Sequence, residues 1–116
     1  MADIIRVVEE IDTLDRPLFI GRQIFRGETL EMAHVSLKPG GRMPTHSHSD
    51  GDQCYYVLAG SGKLHMGDTS YDLNCGKAAF IPKGIEHYTE NTGDGYLTYI
   101  ETRSKEPGSL APELPH

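Results

Sequence analysis

The sequence has no run of about 18 consecutive apolar residues, which a membrane-spanning helix would need. Its first residues, MADIIRVVEEID, carry acidic side chains where a secretion signal needs a basic region. Positive charge is also in deficit, because the formal net charge is -6 and the isoelectric point is near 5.4. These absences predict a cytoplasmic protein with no membrane partner and no nucleic-acid partner.

Cysteine is scarce, because the chain has only Cys54 and Cys75, too few and too scattered for a disulfide framework. Glycine and proline are plentiful, with 13 and 7 among 116 residues, and they favour many turns between short strands. The 37% of hydrophobic and 24% of charged residues are typical of one ordinary globular domain. A domain of this size buries a limited share of its surface on folding, so we expect a homodimer.

Short segments rich in β-branched and aromatic residues recur between turns along the chain. Residues 4–11 and 18–25 predict two edge strands, although RVVEEIDTLD, residues 6–15, has near-helical apolar spacing as an alternative. Further strands are predicted in LEMAHVSL, QCYYVLAG, KLHMG, YDLNCG, KAAFIP, HYTEN and GYLTYIETR. The pattern predicts an all-β sandwich or barrel over residues 1–105, followed by a flexible C-terminal tail over 106–116.

Histidines occur in a pattern that suits a metal ion. His46 and His48 are two residues apart, so an extended backbone directs both imidazoles to the same face. Gln53 follows at the start of the next predicted strand, and His87 comes from a distant hairpin. Neutral imidazoles suit zinc, iron, nickel, copper or manganese. A His-x-His pair in a loop is also a common surface feature, so the pair alone leaves both interpretations open.

Glycines and a proline at fixed distances from these residues decide between the two interpretations. In residues 40–60 and 76–91 the chain resembles the cupin superfamily, and it matches the two cupin motifs at every fixed position except one, where Gln53 replaces a glutamate. The matching residues are Gly40, His46, His48 and Gly60 in the first motif and Gly76, Pro82, Gly84, His87 and Asn91 in the second. The resemblance implies an antiparallel jelly-roll β-barrel, usually dimeric. It also implies one divalent metal ion (zinc, iron, manganese or nickel), held by His46, His48, Gln53 and His87. The glycines are expected in tight turns, and Asn91 is expected to bond its own turn.

Glutamine stands where the family commonly has a glutamate ligand. Asp52 is an alternative fourth ligand, but only Gln53 leaves the family's six residues before Gly60. Neighbouring strand residues face opposite ways, so only one of the two can face inward. A neutral ligand set leaves the metal its full charge and favours Lewis-acid chemistry.

Alternation from Gln53 places Tyr55 on the face of the metal ligands, and Tyr99 and Glu101 share a face of the last strand. The resemblance implies that this face lines the barrel. We expect Glu101 to act as general base and Tyr55 as hydrogen-bond donor, with Tyr99 and Met43 contacting a small-molecule ligand. Pairing of Glu101 with Arg103 is the structural alternative.

These residues favour a metal-dependent enzyme that acts on a small oxygenated carbonyl compound, a sugar or a keto acid, as a non-redox lyase or isomerase. An iron-dependent dioxygenase acting on a diketone, enol or aromatic is one alternative, because substrate and oxygen need open positions on the metal. A non-catalytic module that binds a small molecule is the other, because cupins are a fold with many unrelated activities.

Overall fold

The structure is a computed structural model and describes residues 4–47 and 51–107. Nearly all regular structure in these ranges is β-strand. In chain order, a single 3-10 turn at Val8–Glu10 precedes nine strands: β1 (Leu14–Asp15), β2 (Phe19–Arg26), β3 (Leu30–Leu37), β4 (Gln53–Ala59), β5 (Ser61–Met66), β6 (Thr69–Asn74), β7 (Ala78–Ile81), β8 (His87–Asn91) and β9 (Leu97–Ser104). The predicted all-β class is confirmed.

The strands form two antiparallel sheets that pack face to face. One has six strands in the order β1-β2-β3-β9-β4-β7, and the other has three in the order β6-β5-β8. Isolated bridges from Arg42 to Glu90 and from His46 to His87 place residues 42–46 beside β8 as a fourth strand-like segment. From β4 onward the chain passes back and forth between the two sheets, because β4, β7 and β9 lie in one sheet and β5, β6 and β8 in the other. This connection pattern is that of a jelly roll.

Within residues 4–47 and 51–107, the two sheets do not close into one continuous hydrogen-bonded barrel. Although β6 and β7 follow each other in the chain, each pairs within a different sheet, and both are edge strands. The turn between them contains Gly76 with φ +89, a conformation that glycine adopts at little cost. The two sheet edges are therefore separated along β6 and β7, an opening that still fits the predicted jelly-roll fold.

The hydrophobic core lies between the sheets and follows the period-two pattern of the strands. In β3 and β9, buried and half-buried residues alternate strictly along most of each strand. Leu37 and Leu97 are paired across these strands and are fully buried. The core therefore fills one end of the space between the sheets, while β4 and β9 carry polar side chains into the other end.

The turn residues of the cupin motifs have the roles that the sequence predicts. Gly40, Gly60 and Gly84 have φ of 76, 92 and 82, where any other residue would be strained. A Cβ at Gly60 would also collide with the carbonyl oxygen of Tyr96. Asn91 accepts a hydrogen bond from the Gly93 amide at 2.9 Å, which closes the turn before β9.

The strand predicted over residues 4–11 is wrong, and so is a full helix over 6–15. Ile4 and Ile5 are almost fully exposed, and the 3-10 turn has no side-chain cap and no buried residue. This segment is rich in β-branched residues but pairs with no strand among the described residues, so its apolar side chains have no sheet face to pack on. By contrast, the strand predicted over 18–25 is confirmed as β2, although its predicted edge position is wrong, because β2 lies between β1 and β3.

Residues 108–116 of the predicted tail lie outside the described residues. Within the described ranges, no helix has the length and apolarity needed to cross a membrane. Both cysteines are free and exposed. The six-stranded sheet exposes Tyr56 and Leu58 on its outer face and Phe80 along its β7 edge, and the homodimer remains a prediction.

Candidate metal centre

Two of the predicted metal ligands, His46 and His87, are held against each other by backbone hydrogen bonds. The amide of His46 donates to the carbonyl of His87 at 3.0 Å, and the amide of His87 donates back at 2.9 Å. Their imidazole centroids are 4.3 Å apart, and His87 is only 2% exposed. The fold thus brings together two residues that are 41 positions apart in the sequence (87 − 46). His48 lies outside the described residues.

The hydrogen bonds of both imidazoles fix which ring nitrogen carries the proton. Nδ1 of His46 is 2.8 Å from the carbonyl oxygen of Pro44, and Nδ1 of His87 is 2.8 Å from that of Ile85. A carbonyl oxygen only accepts, so each Nδ1 is the donor. Burial and the neighbouring His46 lower the pKa of His87, which favours its neutral form. The Nε2 of a neutral His87 therefore carries the lone pair, as a metal ligand requires.

Gln53 is the first residue of β4, is 1% exposed and faces the interior. Its Nε2 donates to Oε1 of Glu101 at 3.0 Å. Its Oε1 is buried and forms no hydrogen bond of normal geometry among the described residues, although the Gln53 side chain lies close enough to the Tyr55 hydroxyl to affect the pKa of that phenol. A buried amide oxygen without a partner is costly, which is consistent with a role as a metal ligand.

Asp52, the alternative fourth ligand, is directed elsewhere. Its Oδ1 accepts a hydrogen bond from the backbone amide of Lys83 at 2.9 Å, and the side chain is exposed. The carboxylate therefore joins the segment before β4 to the loop before β8. Gln53 and Asp52 face opposite ways, as strand alternation predicts.

The interior beside Gln53 is lined by the other predicted site residues. Glu101 is 4% exposed, and Met43 is buried in the hydrophobic core. The Tyr55 ring lies 4.8 Å from that of Tyr99 and 6.5 Å from that of His87, measured between centroids. The structure thus places these four side chains inside the sandwich. Alternation along β4 and β9 predicts this for Tyr55, Tyr99 and Glu101, whereas Met43 lies outside both strands. The roles of all four stay predictions.

Both buried phenols are held in their protonated form. Burial raises the pKa of Tyr55 well above its usual range, and the nearby carboxylate of Glu101 raises it further. Burial also raises the pKa of Tyr99, whose hydroxyl is 3.0 Å from Oγ1 of Thr89. Tyr99 is therefore engaged with β8, whereas the Tyr55 phenol remains protonated beside Gln53 and His87.

The donor set fits a divalent metal ion of the kind predicted. Among residues 4–47 and 51–107, no cluster of three His, Cys, Asp or Glu side chains is spaced to hold a metal. The described contribution is two imidazoles and one amide oxygen, and His48 would supply a third imidazole. Imidazole nitrogen with oxygen suits zinc, iron, manganese or nickel. The four-residue ligand set stays a prediction.

Sequence reasoning missed a buried charge cluster at the same end of the sandwich. Glu31, 2% exposed, accepts a hydrogen bond from Nε of Arg26 at 3.1 Å and lies 3.7 Å from both Arg103 and Lys105. Arg103 is also buried and is paired in register with Gln53. One signal in the sequence was available, because Glu31 occupies an inward position of LEMAHVSL. The cluster places positive charge beside the interior that contains Glu101.

Changing Gln53 to glutamate should destabilise the metal-free protein. The substitution removes the amide that donates to Glu101 and places two carboxylates at hydrogen-bond distance in a buried interior, where both cannot be ionised without cost. We expect Gln53→Glu to lower the free energy of unfolding by about 2 kcal/mol, measured by urea denaturation in the presence of a chelator.

The double variant Gln53→Glu with Glu101→Gln is the matched control. It exchanges donor and acceptor and restores one amide beside one carboxylate, so most of the lost stability should return. A single variant as stable as the wild type would show that the hydrogen bond between Gln53 and Glu101 contributes nothing.

Comparisons with known proteins agree with this architecture. A family model of the cupin domain matches residues 33–102, more than half of the chain. Germin-like protein 3-1 from Oryza sativa subsp. japonica is 37% identical over 87 residues, covering 69% of this chain and 39% of the relative. The oxalate-binding protein of Thermotoga maritima is 26% identical over 81 residues, covering 70% of this chain and 67% of the relative.

Among solved structures, KdgF from Halomonas sp. superposes with a TM-score of 0.80 at 20% identity, covering 90% of this chain and 96% of that one. At 20% identity the superposition shows a shared fold and nothing about activity. The chain spans less than half the length of the germin-like protein, so the activity of that whole protein does not transfer. The family model covers both motifs and most strands of the two sheets, which shows the family of this chain. The chain belongs to the cupin family.

Proposed function

We propose that this cupin is a metal-dependent enzyme that acts on a small oxygenated carbonyl compound, a sugar or keto acid, as a non-redox lyase or isomerase. The observation that carries the proposal is the buried hydrogen bond from Gln53 to Glu101. Because the amide nitrogen donates to Glu101, the amide oxygen is the atom of Gln53 that a metal ion would contact, and this supports Glu101 as a base beside the ligands. A bound divalent ion would supply Lewis-acid polarisation of a carbonyl.

The side chains around this pair have complementary roles in moving a proton. Glu101 takes a proton from the carbon next to the substrate carbonyl and returns it to the neighbouring atom, so that no net proton is gained or lost. The Tyr55 phenol, held protonated by burial, donates a hydrogen bond to the oxygen on which negative charge develops. The buried side chains of Tyr99 and Met43 lower the local dielectric constant and so strengthen both interactions.

The proposal is tested by proton exchange without oxygen. Protein stripped of metal is reloaded with zinc, manganese, nickel or ferrous iron and incubated under argon in deuterated water with a panel of keto acids and aldoses. We expect deuterium at the carbon next to the carbonyl, detected by NMR, with at least one redox-inert metal. Glu101→Gln should lower the exchange rate by about 100-fold or more, whereas the exposed control Glu28→Gln should not change it.

A binding module is the second candidate, and the name of the oxalate-binding relative favours it. If the protein bound its ligand but catalysed neither deuterium exchange nor turnover in any metal form, the binding module would be supported and the proposed enzymatic activity contradicted. Turnover only with ferrous iron and with stoichiometric oxygen uptake would instead overturn the non-redox assignment and favour a dioxygenase.

A further inference from the structure

A cavity of about 390 Å³ opens between the two sheets where β6 and β7 separate. We call it the seam cavity. Its inner wall is formed by Leu64, Met66, Leu73 and Ala79, and its outer rim by Tyr71 and Phe80. Its volume lies within the range typical of small-molecule sites. It is distinct from the candidate metal centre, because His46, Gln53, His87 and Glu101 are not among its lining residues.

The seam cavity arises from small residues on an edge strand. β7 is four residues long and carries Ala78 and Ala79, whereas its paired strand β4 carries large side chains. Alanine is uncommon in strands because it fills little space on the pleated surface. The recess over Ala79 is therefore a consequence of the sequence at the position where the two sheets separate.

The seam cavity adjoins the candidate metal centre through direct strand pairing. Ala79 is paired in register with Tyr55, and Met66 is paired with His87. Side chains on one face of paired strands have Cβ atoms about 5 Å apart. A molecule in the seam cavity thus lies one side chain away from the phenol and imidazole that face the proposed reacting group.

The surface of the seam cavity is apolar inside and charged only at its edge. Leu64 and Leu73 are buried members of the hydrophobic core, while Tyr71 is 48% and Phe80 58% exposed on the rim. Two large aromatic side chains exposed beside one opening are a feature of ligand or partner sites. The rim charges come from Asp72 and Lys77.

We propose that the seam cavity binds an aryl or branched-alkyl group of the ligand, with the ligand's polar carbonyl end directed toward Tyr55 and His87. The carbonyl end rests on the proposed function, whereas the apolar subsite rests on the cavity alone. The substrate class is then an aryl- or branched-chain keto acid rather than a free sugar, because hydroxyl groups would lose their water against these walls.

The test compares two keto acids that differ in the apolar group. Zinc-loaded protein is titrated calorimetrically with phenylpyruvate and with pyruvate. Phenylpyruvate should bind at least about tenfold more tightly, as burial of a ring against apolar walls predicts. Ala79→Leu fills the recess and should remove this difference without changing the affinity for pyruvate or zinc. Ala59→Leu, the same change at an exposed position of β4, should leave the difference intact.

A second measurement keeps the inference independent of enzymatic activity and of one variant's folding. In metal-free protein, phenol should shift the methyl NMR signals of Met66 and Ala79, and Tyr71→Ala should weaken this binding. Equal affinity for the two keto acids, or no shift with phenol, overturns the inference. Tighter binding of phenylpyruvate without proton exchange would instead overturn the proposed enzyme and leave the apolar subsite in place.

Discussion

Replacing His87 by alanine should lower the affinity of the protein for zinc by at least about 100-fold. The imidazole is 2% exposed, and the carbonyl of Ile85 fixes its Nδ1 as the protonated nitrogen. Loss of residues that merely orient a ligand costs about 10- to 100-fold in metal affinity, so loss of a ligand itself should cost more. Calorimetric titration of zinc into chelator-treated protein measures the change, and elemental analysis of the purified variant checks it.

Other histidines provide the comparison for His87→Ala. His46→Ala and His48→Ala should give losses of the same order. His65→Ala should leave zinc affinity unchanged. The imidazole of His65 is 2.8 Å from both Glu90 and Ser70 in the three-stranded sheet, so both of its ring nitrogens already have partners. If His87→Ala bound zinc within threefold of the wild type while remaining folded by circular dichroism, the metal centre described here would be wrong.

Much of the interior could be predicted from the sequence because strand periodicity determines which side chains share a face. From Gln53, counting in steps of two gives Tyr55 and Val57, and all three are buried. The same counting gives Tyr99 and Glu101 on β9. This works because both sheets bury one face, so a register shift by one residue would expose the whole apolar set.

Contacts between distant strands could not be predicted in the same way. The hydrogen bond between Gln53 and Glu101 joins residues 48 positions apart and depends on the pairing of β4 with β9. The burial of Glu31 beside Arg103 likewise depends on the pairing of β3 with β9. At the N-terminus, β-branched residues suggested a strand, but residue preference does not supply a partner strand. Local patterns thus predict the orientation of a side chain, whereas its partners depend on topology.

Leu37→Ala should lower the free energy of unfolding by about 3 kcal/mol. Leu37 is fully buried at the end of β3 and is paired with Leu97 on β9. Truncation of a buried leucine loses both its transfer free energy and its packing contacts around the resulting cavity. Urea denaturation of the metal-free protein measures the loss. Leu30→Ala, on the same strand but 54% exposed, is the matched control and should stay within about 0.5 kcal/mol of the wild type.

The same variant tests whether stability and the candidate metal centre are separable. Leu97, the partner of Leu37, precedes Glu101 by four residues on β9, a distance of about 13 Å along the strand. Substitutions this far apart without shared contacts usually act independently. Leu37→Ala should therefore bind zinc as the wild type does at a temperature where it is folded. A loss of zinc affinity parallel to the loss of stability would mean that the apolar end of the sandwich holds the polar end in place.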